Sequence, residues 1–232
     1  MKDFLSTSFF DLSSYRHATL FHPTNPVWSA LNQIEPYLLS LKLGMIEVDI
    51  PDGVFLIDPH LVSIGKGSVI EPGAYIKGPC VIGENCIVRH GAYIRGNLIT
   101  GNDCIIGHDT EVKNAIFLDH AYAAHFAYLG DSILGNRVNL GAGTKCANLR
   151  FNKKNIVVEF QGKKLDTGLR KFGAILGDDV QTGCNVVTNP GTLCGKGVVC
   201  YACMSVRGVI PAHSIVKNSV QQIIEPFKED AT

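Results

Sequence analysis

The chain has 232 residues, 46% of them hydrophobic, with 21 Lys+Arg against 21 Asp+Glu and a formal net charge of zero. That balance excludes a global field for nucleic acid or an anionic membrane surface, so a charged ligand must be met by a local cluster. The first ten residues lack the basic start and apolar core of a secretory signal, and no stretch approaches the roughly 18 apolar residues of a membrane span; the expectation is a cytoplasmic protein whose eight cysteines are reduced.

Residues 1–55 read as an N-terminal helical cap. Within them, residues 24–43 carry Trp28, Leu31, Ile34, Leu38 and Leu41 at helical spacing, with Asn25 as an N-cap and Pro26 in the first turn. Pro36 is expected to kink or split this helix. Solenoids need their terminal core shielded, so the segment is expected to cover the open end of the repeat that follows.

Residues 56–216 are dominated by a six-residue period. From Ile64 an aliphatic residue recurs at Ile70, Ile76, Ile82, Val88, Ile94, Ile106, Val112 and Leu118, with Thr100 in the same register. The period resumes at Leu134, Leu140 and Cys146, and again at Leu176, Thr182, Thr188, Cys194, Cys200 and Val206. No α-helix or isolated strand repeats every six residues. A left-handed parallel β-helix does, because each hexad supplies one short strand and one corner and three hexads close a triangular coil. The fold expected is therefore all-β, with the helical cap in front and a protruding arm.

The fourth residue after each aliphatic position must be small and also face inward, as at Ser68, Ala74, Cys80, Cys86, Ala92, Cys104 and Thr110. This register sends Cys80, Cys86, Cys104, Cys146, Cys194 and Cys200 into the core as small hydrophobes. It aims Cys200 and Cys203 in different directions, which argues against a metal knuckle. Residues 119–127 read as a four-residue bulge that brings Tyr128 back into register. The excursion at about 149–172 reads as a protruding hairpin around a Gln161-Gly162 turn. Residues 217–232 form a C-terminal tail, and residues 216–227 are expected to pack outside the coil.

Residues 18 apart lie about 4.8 Å apart in such a coil. Arg95 and Lys113 are such a pair on one face. They form either a clamp for a phosphate or two solvated charges relieved by Glu111, and the spacing leaves both open. His125, in the bulge with His120, is a candidate base, although a lone histidine is more often structural. Gly141 and Gly143 either let a ligand approach the backbone or simply make turns.

His125-x-x-Tyr-Leu-Gly-Asp, Val-Asn139-x-Gly-Ala-Gly-Thr and Asn148 resemble the acetyltransferase domain of the bifunctional bacterial N-acetylglucosamine-1-phosphate uridylyltransferase/glucosamine-1-phosphate acetyltransferase. Asn148-Leu-Arg-Phe and Asp166-Thr-Gly-Leu-Arg-Lys-Phe-Gly-Ala-Ile-Leu-Gly-Asp are similar to archaeal sugar-1-phosphate nucleotidylyltransferases with amino-sugar acetyltransferase activity. The resemblance implies an acetyl-CoA-dependent N-acetyltransferase acting on glucosamine-1-phosphate or galactosamine-1-phosphate and feeding UDP-N-acetylhexosamine synthesis. His125 matches the general base. Arg95, Lys113 and Tyr128 match sugar-phosphate ligands, which selects the clamp reading, and Glu111, Asn139 and Asn148 match residues holding the sugar or acetyl group. Lys154 matches a lysine closing over the site, and Ala142, Cys184 and Ala202 fall where coenzyme A lies. The family's sites form between neighbouring subunits of a homotrimer, and the transfer requires no metal.

This sequence also departs from that family. Cys184 stands where bacterial relatives tend to have Ser, and is read as a packing thiol rather than an acyl carrier. No basic residue matches the one that grips the coenzyme's phosphates. Residues 1–51 contain one glycine, Gly44, and no Gly-rich phosphate loop. The expectation is a chain without the nucleotidylyltransferase activity, partnered by a separate nucleotidylyltransferase. Two rival readings are a non-catalytic trimeric scaffold, which would bind coenzyme A without turnover, and a γ-class carbonic anhydrase-like metal site on His90, His120 and His125, which metal analysis would reveal.

Overall fold

A period of six requires one strand and one corner per hexad, and the chain forms both. The computed structural model describes residues 2–218. It is a left-handed parallel β-helix whose short strands line up in three faces. Face A begins with Phe55–Ile57 and Tyr75–Lys77 and ends with Ser205–Val206. Face B runs from Val62–Ile64 and Cys80–Ile82 to Val209–Ile210, and face C from Val69–Ile70 and Ile87–Val88 to Ile215–Val216.

Along face C, Ile70, Val88, Ile106, Ala123, Leu140, Thr182 and Cys200 stack in parallel register and are buried. Each large aliphatic in such a column contributes about 1.5–3 kcal/mol by leaving water. The six cysteines assigned to the core are buried, whereas Cys184 and Cys203 are exposed. At the corner after face C, a positive φ recurs at Gly73, Gly91, Asp109, Phe126, Gly143, Asn185 and Cys203. Close stacking sets a second demand: a Cβ on Gly107 would run into the backbone of Ala124 in the next coil.

Two coils are one residue shorter than the period predicts. Glu111 pairs with Tyr128 and Tyr128 with Lys145, each step being 17 residues. The two contractions lie between Val112 and Phe117 and between Leu129 and Leu134. Phe117, not Leu118, points into the core, and on face A Leu129, not Tyr128, follows Val112 in the inward column. Residues 119–127 therefore hold no four-residue bulge, and Tyr122–His125 is an ordinary rung of face C. A six-residue count carried through Leu118 is out by one, and a slip of one sends each side chain to the opposite side of a strand.

The excursion is a hairpin, as expected. Asn139 pairs with Gln181, 42 residues on, and the extra chain forms the antiparallel strands Val157–Phe160 and Lys163–Asp166. Gln161 and Gly162 join them at φ 49° and 73°, the two positive values that a type I′ turn needs.

Face B is apolar outward as well as inward. Ile99, Ile116, Ile133, Ile175 and Leu193 form its outer row and are fully buried. Strands covered on both sides have this continuous apolar character. Part of the cover comes from Ile156, Val158 and Phe172 of the excursion. The rest comes from the N-terminal segment, where the helical stretch divides into the 3-10 helix Val27–Gln33 and the α-helix Ile34–Ser40, with Pro36 in the latter's first turn. Asn25 does not cap it; Pro26 holds the N-cap position without a side-chain bond. Trp28, Leu31, Ile34 and Leu38 pack into the cluster on the face B row, and the Trp28 and Phe172 rings lie 6.2 Å apart. The segment thus covers a flank, not the open end. There the core is met by Ile46, Val48, Ile50, Val54 and Leu56, and Ile46 already bridges Ile64 in coil register. Asp178 stitches the segment down by accepting from the backbone N–H of Asp11 at 2.7 Å and of Asn136 at 2.8 Å. The outside packing expected for residues 216–227 falls, from residue 219 on, outside the described residues; Val216 itself belongs to face C. Among the described residues no helix is long and apolar enough to cross a membrane.

Candidate functional site

Face A and its trailing corner carry the charged group. Arg95 and Lys113 follow the inward residues Ile94 and Val112 on adjacent rungs, so their side chains leave the same face. Each has a carboxylate of its own. The Arg95 guanidinium donates to Glu111 Oε1 at 2.7 Å on the exposed surface, and Lys113 Nζ donates to Asp131 Oδ2 at 2.9 Å in a largely buried contact. Asn148 Nδ2 donates to the same Asp131 oxygen, and Tyr128 Oη donates to Asn148 Oδ1 at 3.4 Å. Burial, with Glu111 and Asp131 nearby, holds the Tyr128 phenol above its usual range, so it remains a donor. Gly130 makes room for this arrangement, because a Cβ there would meet Asn148 Nδ2 and Tyr128 Oη.

Asp131 is the functional candidate that the sequence reading passed over, although it ends the quoted Tyr-Leu-Gly-Asp. Asn114, Asp131 and Asn148 stand 17 apart on successive short coils. A register kept at 18 hides that ladder.

The corner between faces C and A carries the second group. His90, His108 and His125 occupy successive coils, followed by Ala142, Cys184 and Ala202. The His90 and His108 rings stack at 5.8 Å, and their Nδ1 atoms lie 2.7 Å from Pro72 O and 2.9 Å from His90 O. His125 is exposed, and its imidazole makes no hydrogen bond or ion pair among the described residues. Beyond it the column presents only small side chains. Gly141 N–H donates to Thr182 O and Gly143 N–H to His125 O, so neither is free; Ala142 N–H, between them, has no acceptor among the described residues. Cys184 is exposed in this column.

Asn139 lies apart, facing outward on face C between Tyr122 and Gln181. Lys154 lies in the exposed loop after Phe151, with its backbone N–H on Asn152 Oδ1 at 3.1 Å. Within one chain, therefore, Lys113, Tyr128 and Asn148 are joined through Asp131, and Arg95 is joined to Glu111. No hydrogen bond among the described residues ties His125 or Asn139 to that group. A cleft of about 360 Å³ between the N-terminal segment and the coil, lined by His17, Tyr37 and Gly83, contains none of these residues.

His120 and His125 sit on successive corners of one coil, and His120 Nδ1 lies 3.9 Å from Asp103 Oδ2. Their four-residue spacing therefore separates them by a face. Cys200 is buried and Cys203 exposed, so that pair diverges as the register requires.

A family model described as the GMPPB C-terminal domain matches residues 76–224. The chain belongs to this family. A bifunctional sugar-1-phosphate nucleotidylyltransferase/acetyltransferase of Sulfurisphaera tokodaii is 44% identical over 85 residues, 37% of this chain and 21% of that protein. The bifunctional protein GlmU of Methanococcus maripaludis is 36% identical over 121 residues, 52% of this chain and 27% of that protein. The chain thus matches only about a fifth to a quarter of each relative's length. Among solved structures, a Francisella novicida UDP-N-acetylglucosamine acyltransferase aligns with a TM-score of 0.48 at 14% identity, over 70% of this chain and 62% of that one.

Proposed function

We propose that this member of the GMPPB C-terminal domain family is an acetyl-CoA-dependent N-acetyltransferase acting on an amino-sugar 1-phosphate. The observation that carries the reading is the position of His125. It is an exposed imidazole with both ring nitrogens unspent, at the head of a column of small residues (Ala142, Cys184, Ala202) and at the edge of the face bearing Arg95, Lys113 and Tyr128. The small column suits an extended acyl-coenzyme arm, and the cationic face suits a sugar phosphate. The acetyltransferase activity named for the Sulfurisphaera tokodaii relative supports the same assignment.

In this mechanism His125 takes a proton from the sugar ammonium, and the freed amine attacks the thioester carbonyl. The tetrahedral intermediate then collapses with release of the coenzyme thiol. The unpaired N–H of Ala142 is the backbone donor placed to meet the developing oxyanion. Arg95, Lys113 and Tyr128 hold the sugar phosphate; Glu111, Asn139 and Asn148 hold the sugar or acetyl group, and Lys154 reaches in from the excursion. Because Asn139 lies on face C and the cationic group on face A, the complete site forms between neighbouring chains of a homotrimer.

A second reading has an observation in its favour. Arg95 and Lys113 are each already neutralised by a carboxylate, which is the state expected of a non-catalytic scaffold. Thiol release from acetyl-CoA with a panel of amino-sugar 1-phosphates, compared between the wild type and His125→Ala, decides. Turnover that collapses in the variant supports the transferase; coenzyme binding without turnover for any acceptor supports the scaffold.

A further inference from the structure

Two buried aspartates in this coil keep very different company. Asp178, 1% exposed, accepts from the backbone N–H groups of Asp11 and Asn136, with Asn136 Nδ2 at 2.9 Å and Lys196 Nζ at 3.6 Å beside them, and its backbone donors stitch the fold together. The carboxylate of Asp131, 6% exposed, is met among the described residues by side-chain donors and by no backbone N–H. Lys113 Nζ and Asn148 Nδ2 share its Oδ2, and Asn114 Nδ2 reaches its Oδ1 at 3.0 Å. Two of these three donors are groups assigned above to the ligand. The third, Asn114, also donates to the carbonyl of Leu31 at 3.4 Å, in the 3-10 helix on face B.

We propose that Asp131 is a positioning residue that holds Lys113 and Asn148 in one arrangement toward the sugar phosphate and, through Asn114, locks that arrangement to the N-terminal segment. The inference rests on the acetyltransferase reading for the identity of the ligand, but not for the arrangement itself. Only an ionised carboxylate of this size accepts three donors while offering no proton of its own. An amide in its place sets an NH₂ group against at least one of them. The backbone at Asp131 has φ +50°, a conformation that Asn and Gly tolerate, so Asp131→Asn and Asp131→Gly remove the charge without forcing the turn.

The sign of the effect separates positioning from simple charge. On Coulomb grounds alone, removing the carboxylate frees Lys113 and tightens phosphate binding. Positioning predicts the reverse: KM for the amino-sugar 1-phosphate rises about tenfold or more in Asp131→Asn, and further in Asp131→Gly, while KM for acetyl-CoA stays within about twofold. On a Lys113→Met background the Asp131→Asn change should then cost less than about threefold, because the group being positioned has gone. That double variant also removes both charges of the pair, so it serves if the single variant does not fold. A fall or no change in the sugar KM, or fully additive losses, overturns the proposal.

Crystal structures of the wild type and Asp131→Asn test the arrangement without any turnover. Displacement of the Lys113 ammonium and Asn148 carboxamide by about 1 Å or more supports positioning, and unmoved side chains overturn it. A wild type inactive on every amino-sugar phosphate, with those groups displaced in the variant, sinks the acetyltransferase reading and leaves the positioning role standing.

Discussion

His90 and His108 each place a ring nitrogen on a carbonyl of the preceding coil, whereas His125, one rung on, has no such bond. The same residue type therefore braces a corner twice and is left available once. His125→Ala should lower kcat by roughly 10²- to 10⁴-fold, the usual range for a general base, while the thermal midpoint stays unchanged because no contact is lost. A matched loss of midpoint would make His125 a structural residue. His17 shows the opposite case. It is buried with Nδ1 2.9 Å from the Tyr37 hydroxyl, and burial, followed by the charge of Arg16, pushes its imidazole down from 6.5 to about 4. Between those values the unfolded chain binds a proton that the folded chain refuses. Stability is therefore complete above about pH 6.5 and falls toward pH 4, by on the order of 3 kcal/mol. Urea unfolding at pH 7.5 and 4.5 should show this drop in the wild type and a much smaller one in His17→Gln. Residue identity made His125 a candidate from the sequence, but nothing in the sequence separates its free ring from the braced ring of His108.

At the scale of elements, the two-sided burial of face B governs the architecture. Ile116 packs outward against the N-terminal segment while Phe117 beside it fills the core. Ile116→Ala should cost about 2–4 kcal/mol, as removal of buried aliphatic carbon generally does. The chain should remain a β-helix by circular dichroism, since the inner columns are untouched. An unchanged denaturation midpoint would mean that the segment is not docked on this row. The helical spacing of Trp28, Leu31, Ile34 and Leu38 revealed which side of the segment is buried, but not the surface it is buried against. Periodicity within an element reports its own buried stripe, and the partner is chosen by shape and by apolar area elsewhere in the chain. The short coils escaped notice for a related reason. One residue missing between Val112 and Phe117 and another between Leu129 and Leu134 leave the flanking runs in good hexad order, and only the strand pairing shows that they are offset.

Across the whole molecule, face B is covered, while faces A and C each leave an apolar strip in the open. Phe55, Tyr75 and Tyr93 align on face A, with the two tyrosine rings 5.0 Å apart, and on face C the outward row runs Val69, Ile87, Ile105 and Tyr122, then the polar Asn139 and Gln181, then Val199 and Ile215. Strips of this kind mark contact surfaces. In the homotrimer proposed above, face A of one copy would lie against face C of the next and bring Asn139 toward the cationic group. Light scattering should return the mass of three chains. Phe55→Lys with Tyr93→Lys should lower that mass with the fold intact, and a monomeric wild type would remove the shared site.

The sequence by itself determined the β-helix, because stacked coils impose a period that no other regular structure shares, and the inward positions, Phe117 apart, are filled by aliphatic or small residues. It also determined the six core cysteines and the hairpin at Gln161-Gly162, each of which follows from local register or turn chemistry. Only the tertiary structure decided the placement of the N-terminal segment on face B, the 17-residue coils and the convergence of Lys113, Asn114 and Asn148 on Asp131. These depend on how separate coils settle against one another, and in a solenoid one residue missing from each of two coils moves polar side chains into a ladder that no linear count displays.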